Sequence, residues 1–312
     1  MILRFRQKKA FALTLLILSS FIMFSSVILA QNQNSKYVES KGQQKVQYMV
    51  KDIHSIEKPY NYTIGKTKFF YLEVLGILAI IGSILFGVFH GFGRYIVHKK
   101  HSLNLDYVDK EYIYNIIIRL WHWVNALSVL ALIVTGFAMH FNGPTHQLGL
   151  VHNIFGVIFV LCCFLFILYE LVTLDIKQYI VQGWELREGL LKQALFYAIG
   201  IFKQEEHPYH MEKSNRLNPL QKLAYFGVMF TLVPLLACTG IVLLFPGFMG
   251  FFVNYIGMAN MKYVFILHLI SAFGIAAFLF GHIYLATTGD KVKQHFELMI
   301  TGYHKVYKRI KS

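Results

Sequence analysis

The run from about Met261 to Ala286 constrains this chain more than any other stretch. It is apolar throughout except for a few polar side chains, among them His268 and His282 in HLISAFGIAAFLFGH. A segment of that length spans a hydrocarbon layer about 30 Å thick. There a single segment can satisfy its own backbone only as an α-helix. The two histidines are 14 residues apart. At about 100° per residue they return to within about 40° of one helix face, roughly 21 Å apart along the axis. Ionisable groups in lipid are costly and normally face a bundle interior where they have a task. Two inward imidazoles, one near each side of a membrane, suit the axial ligands of two haem irons stacked across it. The plainer alternative is two histidines hydrogen-bonded to neighbouring helices.

The rest of the composition agrees with a membrane setting. Of 312 residues, 56% are hydrophobic and 15% charged, against about 25% charged in a typical soluble domain. The formal charge of +14 sits in loops and tails between apolar spans. It therefore reads as topology and contact with anionic lipid, not as a nucleic-acid surface. Cys162, Cys163 and Cys238 all lie in apolar runs and read as small hydrophobes. There is no CxxCH for covalent haem and no paired CxxC for zinc or an iron–sulfur cluster.

Residues 1–30 have a basic start, an apolar core and a small residue before QNQNSK, which describes a signal peptide or an uncleaved anchor. Residues 31–68 form a polar periplasmic segment. Residues 69–111 hold an extra span, about Phe69 to Phe89, and a cytoplasmic loop from His90. Gly76, Gly82 and Gly87 in that span permit close helix contact. Residues 112–312 make a four-helix domain with a cytoplasmic tail. Its spans run from about Arg119 to Phe141, Leu150 to Leu174, Lys222 to Phe245 and Met261 to Ala286. Both short connectors expected outside, FNGPTHQLG and PGFMGFFVNYIGMAN, lack Lys and Arg, whereas the tail after Gly289 has six. That places the C-terminus in the cytoplasm of a multi-pass bacterial inner-membrane protein. In the long loop 175–221, LREGLLKQALFYAIG fits an amphipathic helix on the inner surface. The expected fold is an all-α transmembrane bundle: a four-helix core that carries two haems, plus one extra N-terminal span.

A low-spin b haem needs two imidazoles at matched depth on facing helices. At the inner side these are His122 and His282; at the outer side, His152 and His268, with His140 and His146 as competitors. His140 is 18 residues from His122 and returns to the same face, but it sits at the extreme end of its span. His90 reads as interfacial, and His98, His101, His207, His210, His295 and His304 read as surface residues. Arg119, one turn before His122, is placed either to pair with a haem propionate or to mark a helix start. Asn218 and Gln221, in NPLQK, read equally as quinone donors or as a helix cap, with Lys222 snorkelling.

Together, RLWHW at Arg119, LVHNIFG at Leu150, NPLQK at Asn218, TGIVLLFPG at Thr239 and the His268–His282 pair resemble the cytochrome b (gamma) subunit of membrane-bound formate dehydrogenase. The resemblance covers about residues 112–305. The wider family includes the di-haem cytochrome b subunits of nickel–iron hydrogenases and thiosulfate reductases. The resemblance implies that His122 and His282 hold the inner haem and His152 and His268 the outer one. It favours quinone binding at Asn218 and Gln221, with menaquinone as the acceptor. It also implies two partners: a periplasmic iron–sulfur (beta) subunit and a molybdenum or tungsten catalytic (alpha) subunit. This chain would then carry electrons without oxidising formate itself. Nothing of this carries over to residues 1–111. A hydrogenase partner is the nearest alternative, and a haem-free histidine transporter is the alternative from a different class.

Overall fold

The computed structural model describes residues 70–100, 104–244 and 261–310. The signal-like segment, the polar stretch 31–68, the connector 246–260 and His101 lie outside the described residues. In chain order the elements are α1 (Phe70–Lys100), β1 (Leu105–Tyr112), α2 (Ile116–Asn142), α3 (His146–Thr173), α4 (Leu190–Leu195), α5 (Pro219–Gly227), α6 (Val233–Leu244), α7 (Met261–Leu285), α8 (Gln294–Thr301) and β2 (Tyr303–Arg309). Among the described residues five helices are long and apolar enough to cross a membrane: Tyr71–Lys100, Ile116–Asn142, His146–Thr173, Pro219–Leu244 and Tyr263–Leu285. They match the five expected spans in number and order. α5 and α6 together form the fourth, joined by a π-helical turn at Val228–Leu232. Pro234 comes two residues after that turn ends. It has no N–H to offer the preceding turn, and a local change of hydrogen-bond register accommodates the loss.

The chain divides into two compact units. The first contains Val134–Ile176, that is, the end of α2 and all of α3. Thr145 caps α3 by accepting from the Leu148 N–H at 3.2 Å. The second contains Phe69–Ile133 and Lys177–Ser312. In it α1 lies along α7. An added Cβ at Gly76 would collide with the Phe273 ring, and one at Gly87 would sit 3.1 Å from Tyr284 Cβ. Between them Ser83 donates to the Ala277 carbonyl at 2.8 Å. Gly82 has open space around it, so Ser83 and not Gly82 faces the neighbouring helix.

Four sequence expectations change here. α1 continues past Phe89 to Lys100, so His90 belongs to a helix and not to a loop. Its Nε2 donates to the Tyr197 carbonyl at 2.8 Å and its Nδ1 meets the Tyr284 hydroxyl. The region after α1 and the C-terminal tail also pair, as an antiparallel ribbon of β1 and β2. The acidic strand LDYVDKEY meets the basic strand YHKVYKR, with Asp106 opposite Lys308 and Tyr112 opposite Tyr303. α8 turns into β2 at Gly302 (φ +85°), where a Cβ would also strike the Tyr114 carbonyl. Lys222 does not snorkel; it is buried in an ion pair with Glu185 at 2.7 Å. Finally, His207, His295 and His304 are half-buried and line one cavity; His98 and His210 also line it but are exposed, as expected of surface residues. The amphipathic stretch is helical as expected: α4 is flanked by π-helical turns at Glu185–Gly189 and Phe196–Gly200.

Candidate functional site

His268 lies in α7, against Thr239 and Gly240 of α6. The Thr239 hydroxyl donates to the Leu235 carbonyl one turn back, and its oxygen lies 2.9 Å from His268 Nδ1. A hydroxyl has a single hydrogen. With that hydrogen on Leu235, the oxygen accepts from Nδ1–H, and Nε2 keeps the free lone pair. This fixes the tautomer and the ring orientation in the manner of a metal-ligating histidine. Gly240 allows the ring to lie close, since a Cβ there would be 3.4 Å from His268 Cε1.

The same device recurs in the other unit. His152 of α3 has its Nδ1 2.9 Å from the Thr135 hydroxyl of α2. A Cβ on the following residue, Gly136, would lie 3.1 Å from His152 Cε1. Sequence reasoning missed both threonines. The available signal was the Thr-Gly dipeptide, repeated in TGFAM and TGIVL.

His122 and His282 belong to one unit and face each other across α2 and α7. Their ring centroids are 6.2 Å apart and their planes are inclined at 50°. A metal–imidazole bond of about 2 Å on each side, plus the radius of each ring, puts two axial imidazoles roughly 6 Å apart, centroid to centroid. The spacing therefore fits one iron between them. His122 Nδ1 is buried with no hydrogen-bond partner among the described residues. His282 stacks on Phe278 (5.6 Å, 20°) and has Tyr225 of α5 at 6.3 Å.

The remaining candidates divide. His140 packs edge-on against its neighbour Phe141 at 4.8 Å, and His146, at the first turn of α3, is exposed. Arg119 donates to the Ile300 carbonyl, and Trp123 Nε1 donates to the Met299 carbonyl at 3.1 Å. Arg119 thus ties α2 to the end of α8, while its Nε stays buried without a hydrogen-bond partner among the described residues. Asn218 and Gln221 form a reciprocal capping box at the start of α5: Gln221 N–H to Asn218 Oδ1 at 2.9 Å, and Asn218 N–H to Gln221 Oε1 at 3.0 Å. Asn218 Nδ2 also donates to the Tyr197 hydroxyl at 3.4 Å.

The sequence profile of the prokaryotic cytochrome b561 family matches residues 113–302. The chain belongs to that family. The region matched contains His122, His152, His268, His282 and both Thr-Gly pairs, and it begins after α1. This cytochrome is 35% identical over 237 residues to the "Putative cytochrome YdhU" of Escherichia coli (strain K12), covering 73% of this chain and 88% of the relative. It is 25% identical over 226 residues to the "Probable Ni/Fe-hydrogenase B-type cytochrome subunit" of Rhodobacter capsulatus, covering 63% and 82%. No solved structure matches. The cytochrome is thus a multi-pass membrane protein of the b-haem class, related to hydrogenase cytochrome subunits. Family membership sets the haem-free transporter aside.

Proposed function

We propose that this cytochrome is the di-haem electron-carrying subunit of a membrane-bound formate dehydrogenase. His152 and His268 bind the outer haem; His122 and His282 bind the inner one. Haem iron between two imidazoles takes up and gives up one electron at a time. Thr135 and Thr239 hold their histidines in the Nε2-ligating tautomer, and Tyr225 and Phe278 pack His282 in place. Electrons arrive from a periplasmic iron–sulfur subunit, fed by a molybdenum or tungsten catalytic subunit. They leave near the cytoplasmic side to menaquinone. Asn218 and Gln221 spend their carbonyl oxygens on the cap, so Gln221 Nε2 is the donor left for a quinone carbonyl. Arg119 keeps its buried Nε for a propionate of the inner haem. The protein sits in the bacterial inner membrane with its C-terminus in the cytoplasm.

The observation that carries this reading is the iron-width separation of His122 and His282. A pyridine haemochrome assay tests it: the purified chain should hold two b haems, and His282→Ala should hold one. Two haems retained in His282→Ala would overturn the assignment. The donor rests on the motif resemblance. The hydrogenase relative favours a second reading, in which a nickel–iron hydrogenase supplies the electrons. Purifying the tagged chain with its natural partners separates the two: a pterin-containing, formate-oxidising subunit supports the first, and a nickel-containing one the second.

A further inference from the structure

A cavity of about 110 Å³ lies among the loops beyond the end of α7, with Asn218 and Gln221 on its wall. Three half-buried histidines line it as well: His207 from the long loop, His295 from α8 and His304 from β2. They differ in what their nitrogens face. His207 Nδ1 donates to the Tyr209 carbonyl at 2.6 Å, and its Nε2 is taken up by Gln193 Nε2 at 3.3 Å. His304 Nδ1 is buried without a hydrogen-bond partner among the described residues, so no contact at that nitrogen sets its tautomer. His295 Nδ1 lies 3.3 Å from the Ala286 carbonyl. A carbonyl oxygen only accepts, so the neutral ring carries its proton on Nδ1 and its lone pair on Nε2. That Nε2 makes no hydrogen bond among the described residues. The ring packs closely on Gly289, where a Cβ would lie 3.1 Å from His295 Cε1.

An imidazole anchored at one nitrogen and open at the other is what a proton-transfer group needs. Reducing a quinone to its quinol consumes two electrons and two protons. With the quinone placed beside Gln221, as the proposed function has it, we propose that His295 delivers those protons. The titratable groups around His295 are Asp290 in the loop after α7, His282 in α7, His207 in the long loop and His304 in β2. His282 is the proposed ligand of the inner haem, which supplies the electrons one at a time. At rest His295 Nε2 and a quinone oxygen both offer only lone pairs, so no hydrogen bond joins them. The exposed Glu205, His210 and Asp290 on the cavity wall open it to water, and Nε2 takes a proton from there. The Nε2–H bond then breaks as an O–H bond forms on the reduced quinone, and the ring returns to its neutral form. Two such transfers balance the two electrons. Burial lowers the pKa of His295 below the ordinary 6.5, against the Ala286 bond and Asp290, which raise it. The imidazolium therefore gives up its proton readily.

The test uses the full chain with its haems in nanodiscs, and menadione, a soluble naphthoquinone, as the probe. Calorimetric titration of the oxidised protein gives the affinity, and stopped-flow reoxidation of the pre-reduced haems gives the rate. His295→Gln, whose amide can still donate to Ala286, should leave the affinity unchanged and slow reoxidation about 100-fold. The wild type should speed up as pH falls from about 8 to about 5, because the imidazolium is the donor. The variant should stay flat over that range, and added imidazole should restore part of its rate. If His295→Gln does not fold or loses a haem, His295→Phe replaces it with the same expectations. Gln221→Glu keeps the cap oxygen and loses the amide donor, so it should weaken menadione binding about 5- to 10-fold. If Gln221→Glu weakens binding while His295→Gln keeps the wild-type rate and pH profile, the role of His295 is overturned and the quinone reading stands. If the wild type neither binds nor reduces menadione, the quinone reading fails and the proposal falls with it. A slowed His295→Gln that keeps the wild-type pH slope and does not respond to imidazole also overturns the proposal, since its defect would then be structural.

Discussion

His152 and His268 sit in separate units of the chain, yet each is held the same way, by a threonine hydroxyl at 2.9 Å and the glycine that follows it. His122 and His282 are held differently. Among the described residues neither has such a hydroxyl; their rings lie 6.2 Å apart, with Phe278 and Tyr225 packed against His282. A hydrogen-bonded imidazole has its tautomer and orientation set by one local contact. A packed imidazole depends on the whole arrangement of its helices. The first kind of site is stiff and local; the second reports on distant packing.

The largest expected effect tests that dependence. α5 carries Tyr225 beside His282, and Lys222 anchors α5 through a buried pair with Glu185. Lys222→Met leaves Glu185 buried and unpaired, at a cost of about 3–5 kcal/mol. It should broaden the electron paramagnetic resonance signal of the haem proposed at His122 and His282 while sparing the one proposed at His152 and His268. Equal broadening of both signals would erase the distinction. Next comes Thr239→Val, which removes the acceptor from His268 Nδ1 at a cost of about 1–3 kcal/mol. Redox titration should show one midpoint potential moving and the other staying fixed. Thr135→Val should move the potential that Thr239→Val leaves alone.

A smaller effect compares the two glycines. Gly136→Ala brings a methyl 3.1 Å from His152 Cε1, whereas Gly240→Ala leaves 3.4 Å to His268 Cε1. The first should loosen its haem by about 1 kcal/mol more than the second, measured as the loss of haem on dilution. The smallest effect concerns a third group of histidines, in the loops. Burial lowers the pKa of His207, His295 and His304 below the ordinary 6.5. Between the folded and unfolded values the unfolded chain binds more protons, so stability falls as pH drops below about 6.5. In phosphate-free buffer the melting temperature should decline from pH 7 to pH 5, and His304→Gln should make that decline shallower.

Much of this was legible in the sequence because lipid imposes simple rules. Five apolar runs became five helices, and His268 and His282 returned to one face because helical period and spacing leave little choice. The capping box at Asn218 was one of two readings left open there. Other features were hidden by distance along the chain. β1 and β2 flank the family domain from opposite ends, and only their complementary charges hinted at pairing. Lys222 looked like a headgroup lysine because its partner, Glu185, lies in another segment. His207, His295 and His304 looked like surface residues because nothing local marks the cavity they share.

The sequence by itself determined the number and order of the spans among the described residues, and it narrowed the candidate ligands to the few histidines inside them. Hydrophobicity and the 3.6-residue period act within a single segment, so both can be read without neighbours. Only the tertiary structure decided that Thr135 and Thr239 lie 2.9 Å from His152 Nδ1 and His268 Nδ1, and that Lys222 is paired with Glu185. Those are pairings between distant segments. Their free energies depend on burial and on donor–acceptor distance, and neither is fixed until the helices have packed.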